Sequence, residues 1–445
     1  MDLSCSQVKA LSKTFKRVVI DKPRQIAFEV FTDVIRSGSY SNLLLPQKLT
    51  ASNMDLRDKA FTTELVYGSI RQIGRNDYLA SKFSSRPWNE VDSGIVDVVR
   101  LGAYQLFDMR VPEHAAVDAT VNLARTVLGE SKASFVNALM RKLASRTLDE
   151  HLSEVQDDSI SSLAIRYSHP EWIINSYRDS ITDINELKLL LEANNRPTKP
   201  TLVAWPGLSN VEEFSGDLGQ YSPYAVKIDT PPTEIDAIRE RRAGIQDEGS
   251  QILALAFAKA AKGREPWLDL CAGPGGKAAL LSYISESPIL ANEISESRAK
   301  LIEQVVKPGT KVFISDGREF SELVGSVIAD VPCTGLGALR RRPEVRWRRT
   351  PSDLPNLTKL QFELAAQAVS IIPTGGVFGY ATCSPHTAET RAQCASIEKK
   401  LDVEPIDVTP FLPQNLKNAT SDGYMQLWPH RHDTDAMFLA LYRKR

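Results

Sequence analysis

Between Arg24 and Thr147 apolar residues recur every three or four positions. In "RQIAFEVFTDVIRSGS", Ala27, Phe31, Val34 and Ile35 share one stripe that stops near Gly38, and "DKAFTTELVYGSIRQIG" repeats the pattern with Phe61, Leu65 and Ile70. "IVDVVRLGAYQLFDM", "EHAAVDATVNLARTVLG" and "SKASFVNALMRKLAS" continue it. Short breaks between such runs predict a compact helical bundle. From Leu148 to Arg242 the pattern loosens. "SHPEWII" precedes a proline-rich stretch, and "PTKPTLVAW" and "YAVKIDTPP" predict short strands of a small α/β connector.

The remaining chain alternates strand and helix. "PWLDL" leads to Asp269, "PILANE" to Glu293, "KVFISD" to Asp316 and "SVIAD" to Asp330. Helices fit Lys277–Ser285, Ser295–Val306, Leu354–Ile372 and His386–Leu401; "GVFGYAT" adds a strand and "DAMFLALYRK" an edge strand. The pattern predicts an α/β fold with a doubly wound, mainly parallel sheet, and three domains: 1–148 helical, 149–240 connector, 241–445 α/β. Ligands of such sheets bind beyond the carboxyl ends of the strands. A helix cap explains any one carboxylate there; four in series predict a polar cofactor cleft.

Composition narrows the function. The 445 residues are 42% hydrophobic and 24% charged, with a formal net charge of −1. A polyanion therefore has to be held by a local patch. Five scattered cysteines, Cys5, Cys271, Cys333, Cys383 and Cys394, form no C-x-x-C pair. They suit a reducing cytoplasm and argue against a disulfide framework or a zinc finger. The first residues, "MDLSCSQVKALSKTFKRVV", lack a signal-peptide apolar core, and no run approaches a membrane span.

The motifs carry the chemistry. "LDLCAGPGGKAAL" reads as strand, glycine-rich turn and helix start. Gly273, Gly275 and Gly276 let the backbone approach a ligand, and the helix N-terminus adds partial positive charge. The turn is neither G-x-G-x-x-G nor a P-loop, and Pro274 removes a donor that a pyrophosphate would use. An adenosyl cofactor with a carboxylate and no phosphate fits better, with Glu293 on the ribose hydroxyls and Asp316 on the adenine amino group. Cys333 in "DVPC" and Cys383 in "TCS" both follow strand ends on the ligand edge, where a thiolate is a usable nucleophile. Cys394, Cys5 and Cys271 read as packing residues. "LRRRPEVRWRR" offers Arg340, Arg341, Arg342, Arg346 and Arg348 to phosphates and Trp347 for stacking; the alternative is a solvated loop. His430, His432 and Asp435 in "HRHDTD" have no metal-site spacing, and His169 reads as a packing or cap contact.

"DLCAGPGGK", "DVPCTGLGALRRRPEVRWR" and "YATCSP" resemble the S-adenosylmethionine-dependent RNA 5-methylcytosine methyltransferases, most closely the bacterial Sun/Fmu (RsmB) type that modifies 16S ribosomal RNA. "IQDEGSQ", "SHPEWI" and "NNRP" resemble that family's connector, and "FTTELVYGSIR", "RLGAYQLFDMRVPEHAAVDATVNLAR" and "FVNALMRK" its NusB-like RNA-binding domain. The resemblance implies a Rossmann-like methyltransferase domain whose cofactor lies on Cys271, Ala272, Gly273, Pro274, Gly275, Gly276, Lys277, Glu293, Asp316 and Asp330. It implies Cys383 as the nucleophile that adds to cytosine carbon 6, Asp330 on the N3/amino edge of the base, and Cys333 in release. Lys277 meets substrate or Asp330, or is an ordinary first-turn lysine. On the residues alone, the two cysteine roles could be exchanged. Three positions depart from the family: Gly273 stands where alanine is usual, Ala278 where threonine is frequent, and Asp435 precedes Ala436–Met437 in place of a Gly-Phe-Phe pattern. The expected partner is ribosomal RNA or an early small-subunit particle, met by a monomer with no metal and no membrane; a transfer RNA or 23S RNA substrate is the alternative. A degenerate RNA-binding platform, a nicotinamide dehydrogenase and a DNA methyltransferase are the competing readings; intact cysteine motifs, the missing G-x-G-x-x-G and the helical domain speak against them in turn.

Overall fold

The computed structural model describes residues 21–445. The amino-terminal "MDLSCSQVKALSKTFKRVV" and Cys5 lie outside the described residues. The chain forms two compact units, Met1–Gln156 and Asp157–Arg445, so the stretch predicted as connector belongs almost wholly to the second.

The first unit is helical: Lys22–Arg36, Ser41–Ala51, Leu56–Arg71, Ile73–Ser81, Ser93–Phe107, Glu113–Leu128 and Glu130–Leu143 are its main helices. Aspartates start several of them. Asp55 accepts from Asp58 N at 2.8 Å, and Asp92 from Gly94 N at 3.1 Å, each satisfying an orphan amide. Ala27, Phe31, Val34, Leu65 and Ile70 are buried, whereas Ile35 and Phe61 are only half-buried; Ile26 and Val30 complete the stripe. Asp97, fully buried, takes Arg36 at 2.8 Å and Arg100 at 3.4 Å.

The second unit opens with short helices, among them Ile160–Arg166, Glu171–Arg178 and Ile184–Asn195. An antiparallel sheet of order β2-β3-β1-β4 follows, from β1 (Thr201–Ala204), β2 (Gly216–Leu218), β3 (Ala225–Ile228) and β4 (Ala243–Ile245). The large sheet then contains β5 (Trp267–Asp269), β6 (Leu290–Asn292), β7 (Lys311–Phe313), β8 (Ser326–Asp330), β9 (Val377–Thr382), β10 (Val403–Ile406), β11 (Thr420–Ser421), β12 (Tyr424–Gln426) and β13 (Phe438–Lys444). Its order is β11-β12-β13-β9-β8-β5-β6-β7, with β10 also on β13. Strands β5 to β9 are mutually parallel.

Alternation along the strands puts a core on each face. Trp267, Ile328, Val377, Ala381, Leu439 and Leu441 join the cluster with helices Glu248–Ala260 and Gly276–Ile284. Leu268, Val327, Phe378, Tyr380, Phe438 and Tyr442 join the cluster with helices Leu354–Ser370 and Arg391–Lys400. Each large side chain so enclosed contributes roughly 1.5–3 kcal/mol.

Two expectations are corrected. Strand β13 is interior: β9 pairs with it from Phe438 to Arg443, leaving β12 and β10 on its other edge. Phe438 to Tyr442 are all buried, which an edge strand does not require. Of the four carboxylates expected at strand ends, Asp269 and Asp330 end β5 and β8, whereas Glu293 and Asp316 lie in the turns after β6 and β7. No described helix is long and apolar enough to cross a membrane.

Candidate active site

Strand order reverses between β5 and β8: β6 and β7 continue one way, β9 the other. Such a switch point opens a crevice at the carboxyl edge. Cys271 to Lys277 turn from β5 into helix Gly276–Ile284 there. Gly275 has φ +113°, and a Cβ on it would come within 2.9 Å of Val305, so only glycine fits this turn. A Cβ on Gly273 would meet Glu293 Oε2 at 2.2 Å. That carboxylate accepts from Gly273 N and from Ser295 N, both at 3.0 Å, and lies buried beside the turn. Asp316 accepts from Arg318 N at 2.9 Å and pairs with the Arg318 side chain, which holds its carboxyl below the usual range. Cys271 is packed against the turn, and burial pushes its thiol well up.

Lys277 donates to Asp330 Oδ2 at 2.5 Å, and Oδ1 of Asp330 is buried without a partner among the described residues. Burial works against the Lys277 ammonium, but Asp330 outweighs it and raises its pKa. Asp269, 1% exposed, also leaves both carboxylate oxygens unpartnered among the described residues, and burial pushes it up to about 7. Sequence reasoning saw Asp269 only as a strand end.

The strand register brings the cysteines together. Asp330 on β8 lies opposite Ala381 on β9, and Val331 N bonds Ala381 O at 2.9 Å. Cys333 and Cys383 follow those positions, with sulfurs 3.3 Å apart. Gly337 bonds both Cys383 O and Ala436 N, each at 2.9 Å, and a Cβ there would strike Ala436 O at 2.3 Å. The surroundings of the two thiols differ. Lys277 and Arg341 are near enough to Cys383 to interact with its charge. The Cys333 thiol is pushed well above its ordinary value by its bond to Cys383, by burial and by the charge of Glu389.

Much of the arginine segment serves the fold. Arg346 is fully buried: its guanidinium donates to Ser168 O at 3.0 Å, Asn195 Oδ1 at 2.8 Å and Asn194 O at 3.1 Å. Arg340, 5% exposed, pairs with Asp433 at 2.5 Å. Arg346 does not face phosphate as the sequence suggested, because its guanidinium is enclosed by protein acceptors, and Arg340 is buried against a carboxylate that itself stays 58% exposed. Arg341 is held by Asp435 through Nε at 3.0 and 3.1 Å and through Nη2, and keeps a side chain 35% exposed. Arg342, Trp347 and Arg348 are half-buried. The histidines serve packing: His430 lies 3.0 Å from Glu186, His432 Nδ1 accepts from Trp428 N at 2.9 Å, and His169 Nδ1 lies 2.7 Å from Tyr167 O. Cys394 is buried in the sheet's second core.

A parallel sheet with a glycine-turned crevice follows a helical unit, and comparison with known proteins identifies the two as a methyltransferase domain and a NusB-like domain. Residues 256–443 match the family model of 16S rRNA methyltransferase RsmB/F, and residues 21–145 that of the NusB family. A putative methyltransferase, Rv1407, of Mycobacterium tuberculosis is 38% identical over 96% of this chain and 98% of its own. Ribosomal RNA small subunit methyltransferase B of Escherichia coli is 30% identical over 90% of this chain and 96% of its own. The crystal structure of PH0851 superposes with a TM-score of 0.77 at 20% identity, covering 94% of this chain and 99% of that one. The chain belongs to the RsmB/F family of 16S rRNA methyltransferases.

Proposed function

We propose that this protein transfers a methyl group from S-adenosylmethionine to carbon 5 of a cytosine in small-subunit ribosomal RNA. The observation that carries the reading is the pair of thiols 3.3 Å apart beside the Lys277–Asp330 pair. The turn from Cys271 to Lys277 would hold the cofactor, with Glu293 on the ribose hydroxyls, Asp316 on the adenine amino group and Asp330 bordering both cofactor and base. The glycine-only backbone at Gly275 and the acceptors left open on Asp269 and Asp330 fit such a ligand. Bound there, S-adenosylmethionine supplies an electrophilic methyl on a sulfonium sulfur.

Carbon 5 of cytosine is a poor nucleophile until a thiolate adds to carbon 6. The family resemblance gives that attack to Cys383, which has Lys277 and Arg341 as charged neighbours, and leaves Cys333 for release. Asp330 bonds the N3/amino edge and Lys277 fixes its orientation, stabilising charge that develops on the ring. After transfer the C5 proton passes to water, the C6–S pair returns to Cys383, and Cys333 donates a hydrogen bond to the departing sulfur. Attack on the face of the ring requires an unstacked base, so a loop or bulge is the expected target. Arg341, Arg342 and Arg348 are the remaining candidates for phosphate contact. The test is incorporation of labelled methyl into small-subunit ribosomal RNA, followed by mapping of 5-methylcytosine. Wild type labels the RNA and Cys383→Ala does not; label at another atom, or none from wild type, refutes the reading.

A further inference from the structure

The two cysteine loops are joined beneath the thiols by a buried polar network centred on Glu389. Its carboxylate, 0% exposed, accepts from Thr334 N at 2.8 Å, from the Thr334 hydroxyl, and from Gln361 Nε2 at 3.0 Å. Thr334 is the residue after Cys333. Gln361 Nε2 also donates to Pro332 O at 2.9 Å, the residue before it. Thr334 Oγ1 lies 3.1 Å from Ser384 Oγ, next to Cys383. Tyr380 on β9 donates to Glu389 O at 2.8 Å and to Gln361 Oε1 at 3.3 Å. Pro332 and Thr334 on one loop and Ser384 on the other are thus tied to one carboxylate. Its three bonds all come from donors, an arrangement for an acceptor only. A helix cap needs none of this, since the amide bonds run to the other loop.

We propose that Glu389 is the positioning residue that sets Cys333 against Cys383 for the release step. The proposal rests on the cysteine roles given above. Glu389 touches neither RNA nor cofactor; it acts by fixing where the Cys333 sulfur stands, and its negative charge also favours the protonated thiol that the departing sulfur requires. Replacing the carboxylate by an amide removes the charge, and its new donor meets only the Thr334 hydroxyl, which must then accept. The three charge-assisted bonds weaken, the link to Ser384 re-forms around the turned hydroxyl, and the Cys333 loop loses its fixed seat. A displacement of about 1 Å from productive geometry costs on the order of 10²-fold in rate.

The experiment compares wild type, Cys333→Ala, Glu389→Gln and Thr334→Val, the last removing only the hydroxyl bonds. Each is incubated with small-subunit ribosomal RNA and S-adenosylmethionine, then denatured and run on a gel that resolves protein carrying covalent RNA. Methyl transferred in the first turnover, steady-state turnover and S-adenosylmethionine binding are read in parallel. Cys333→Ala accumulates adduct, and Glu389→Gln is expected to do the same. Its first-turnover transfer and cofactor binding are kept, while its turnover falls on the order of 10²-fold. A merely structural role would lower transfer, binding and adduct together. If Cys333→Ala traps RNA but Glu389→Gln turns over as wild type, or loses transfer with no adduct while binding cofactor, the positioning role is overturned. If Glu389→Gln loses cofactor binding through misfolding, Thr334→Val decides: excess adduct supports the role and none overturns it. Failure of Cys333→Ala itself to trap RNA would overturn the cysteine roles, and this inference with them.

Discussion

Arg346 separates a phosphate contact from an internal staple. Its guanidinium closes the carboxyl ends of helices Ile160–Arg166 and Ile184–Asn195, where unpaired carbonyls and the helix dipole favour a cation. Arg346→Met keeps most of the stem and removes the charge. Two buried carbonyls and the half-buried Asn195 amide oxygen then lose a charged donor, at about 1–3 kcal/mol each. Relief from desolvating the guanidinium offsets part of that sum, so the net loss should be about 3–5 kcal/mol. Urea denaturation of the full chain, followed by tryptophan fluorescence, reads it as a lower midpoint for the Asp157–Arg445 unit. Arg346→Lys should recover little, because one ammonium cannot span acceptors on both helix ends. RNA affinity is measured across salt under conditions where the variant is folded; the log–log slope should stay unchanged. A stability loss under about 1 kcal/mol together with a slope reduced by about 0.7, the value of one phosphate on a single strand, would refute the staple.

Replacing Arg342 and Arg348 together should reduce that slope, and an unchanged one removes them from the RNA interface. Asp269, raised to about 7 by burial, gives a pH effect of defined sign. Between about pH 4 and pH 7 the unfolded chain ionises this group first, so its contribution to stability falls as pH rises through that window and is level above it. Asp269→Asn should abolish a loss on the order of 3–4 kcal/mol, seen by comparing denaturation of the two proteins at about pH 4.5 and about pH 8; parallel changes in both proteins would count against it. Gly273→Ala should weaken S-adenosylmethionine binding on the order of tenfold by pushing Glu293 aside, at an overpacking cost of about 1–2 kcal/mol. Equilibrium binding measures it; an affinity equal to that of wild type means that Glu293 yields to the added methyl, as the alanine usual in the family would allow.

Period and punctuation made the architecture legible. Helical stripes in the first unit mark most of its buried positions, and the continuous run "GVFGYAT" marks a strand buried on both faces, so elements appeared near their observed places. The error at β13 has a simple cause: "DAMFLALYRK" reads as an apolar strand wherever it sits, and only pairing shows that it is wedged beside β9. The cysteines stood out because rare reactive residues followed predicted strand ends. The arginine segment misled because charge is visible in a sequence and its counter-charge is not: Asp433 and Asp435 lie more than 90 residues away. Glu389 was hidden for the same reason, since six residues after Cys383 it reads as the start of a helix.

Strand β13, with Asp433 and Asp435 just before it, emerges from the ribosome after every other strand of the large sheet. Until it is made, β9 lacks its antiparallel neighbour, Gly337 lacks Ala436, and Arg340 and Arg341 lack their carboxylates. Chains fold vectorially, so the helical unit and the connector can be complete well before that moment. The order of synthesis thus acts as a timer: the paired thiols gain their surroundings only when the last segment of the sheet slots in, and a chain interrupted earlier carries both cysteines without a working reaction centre.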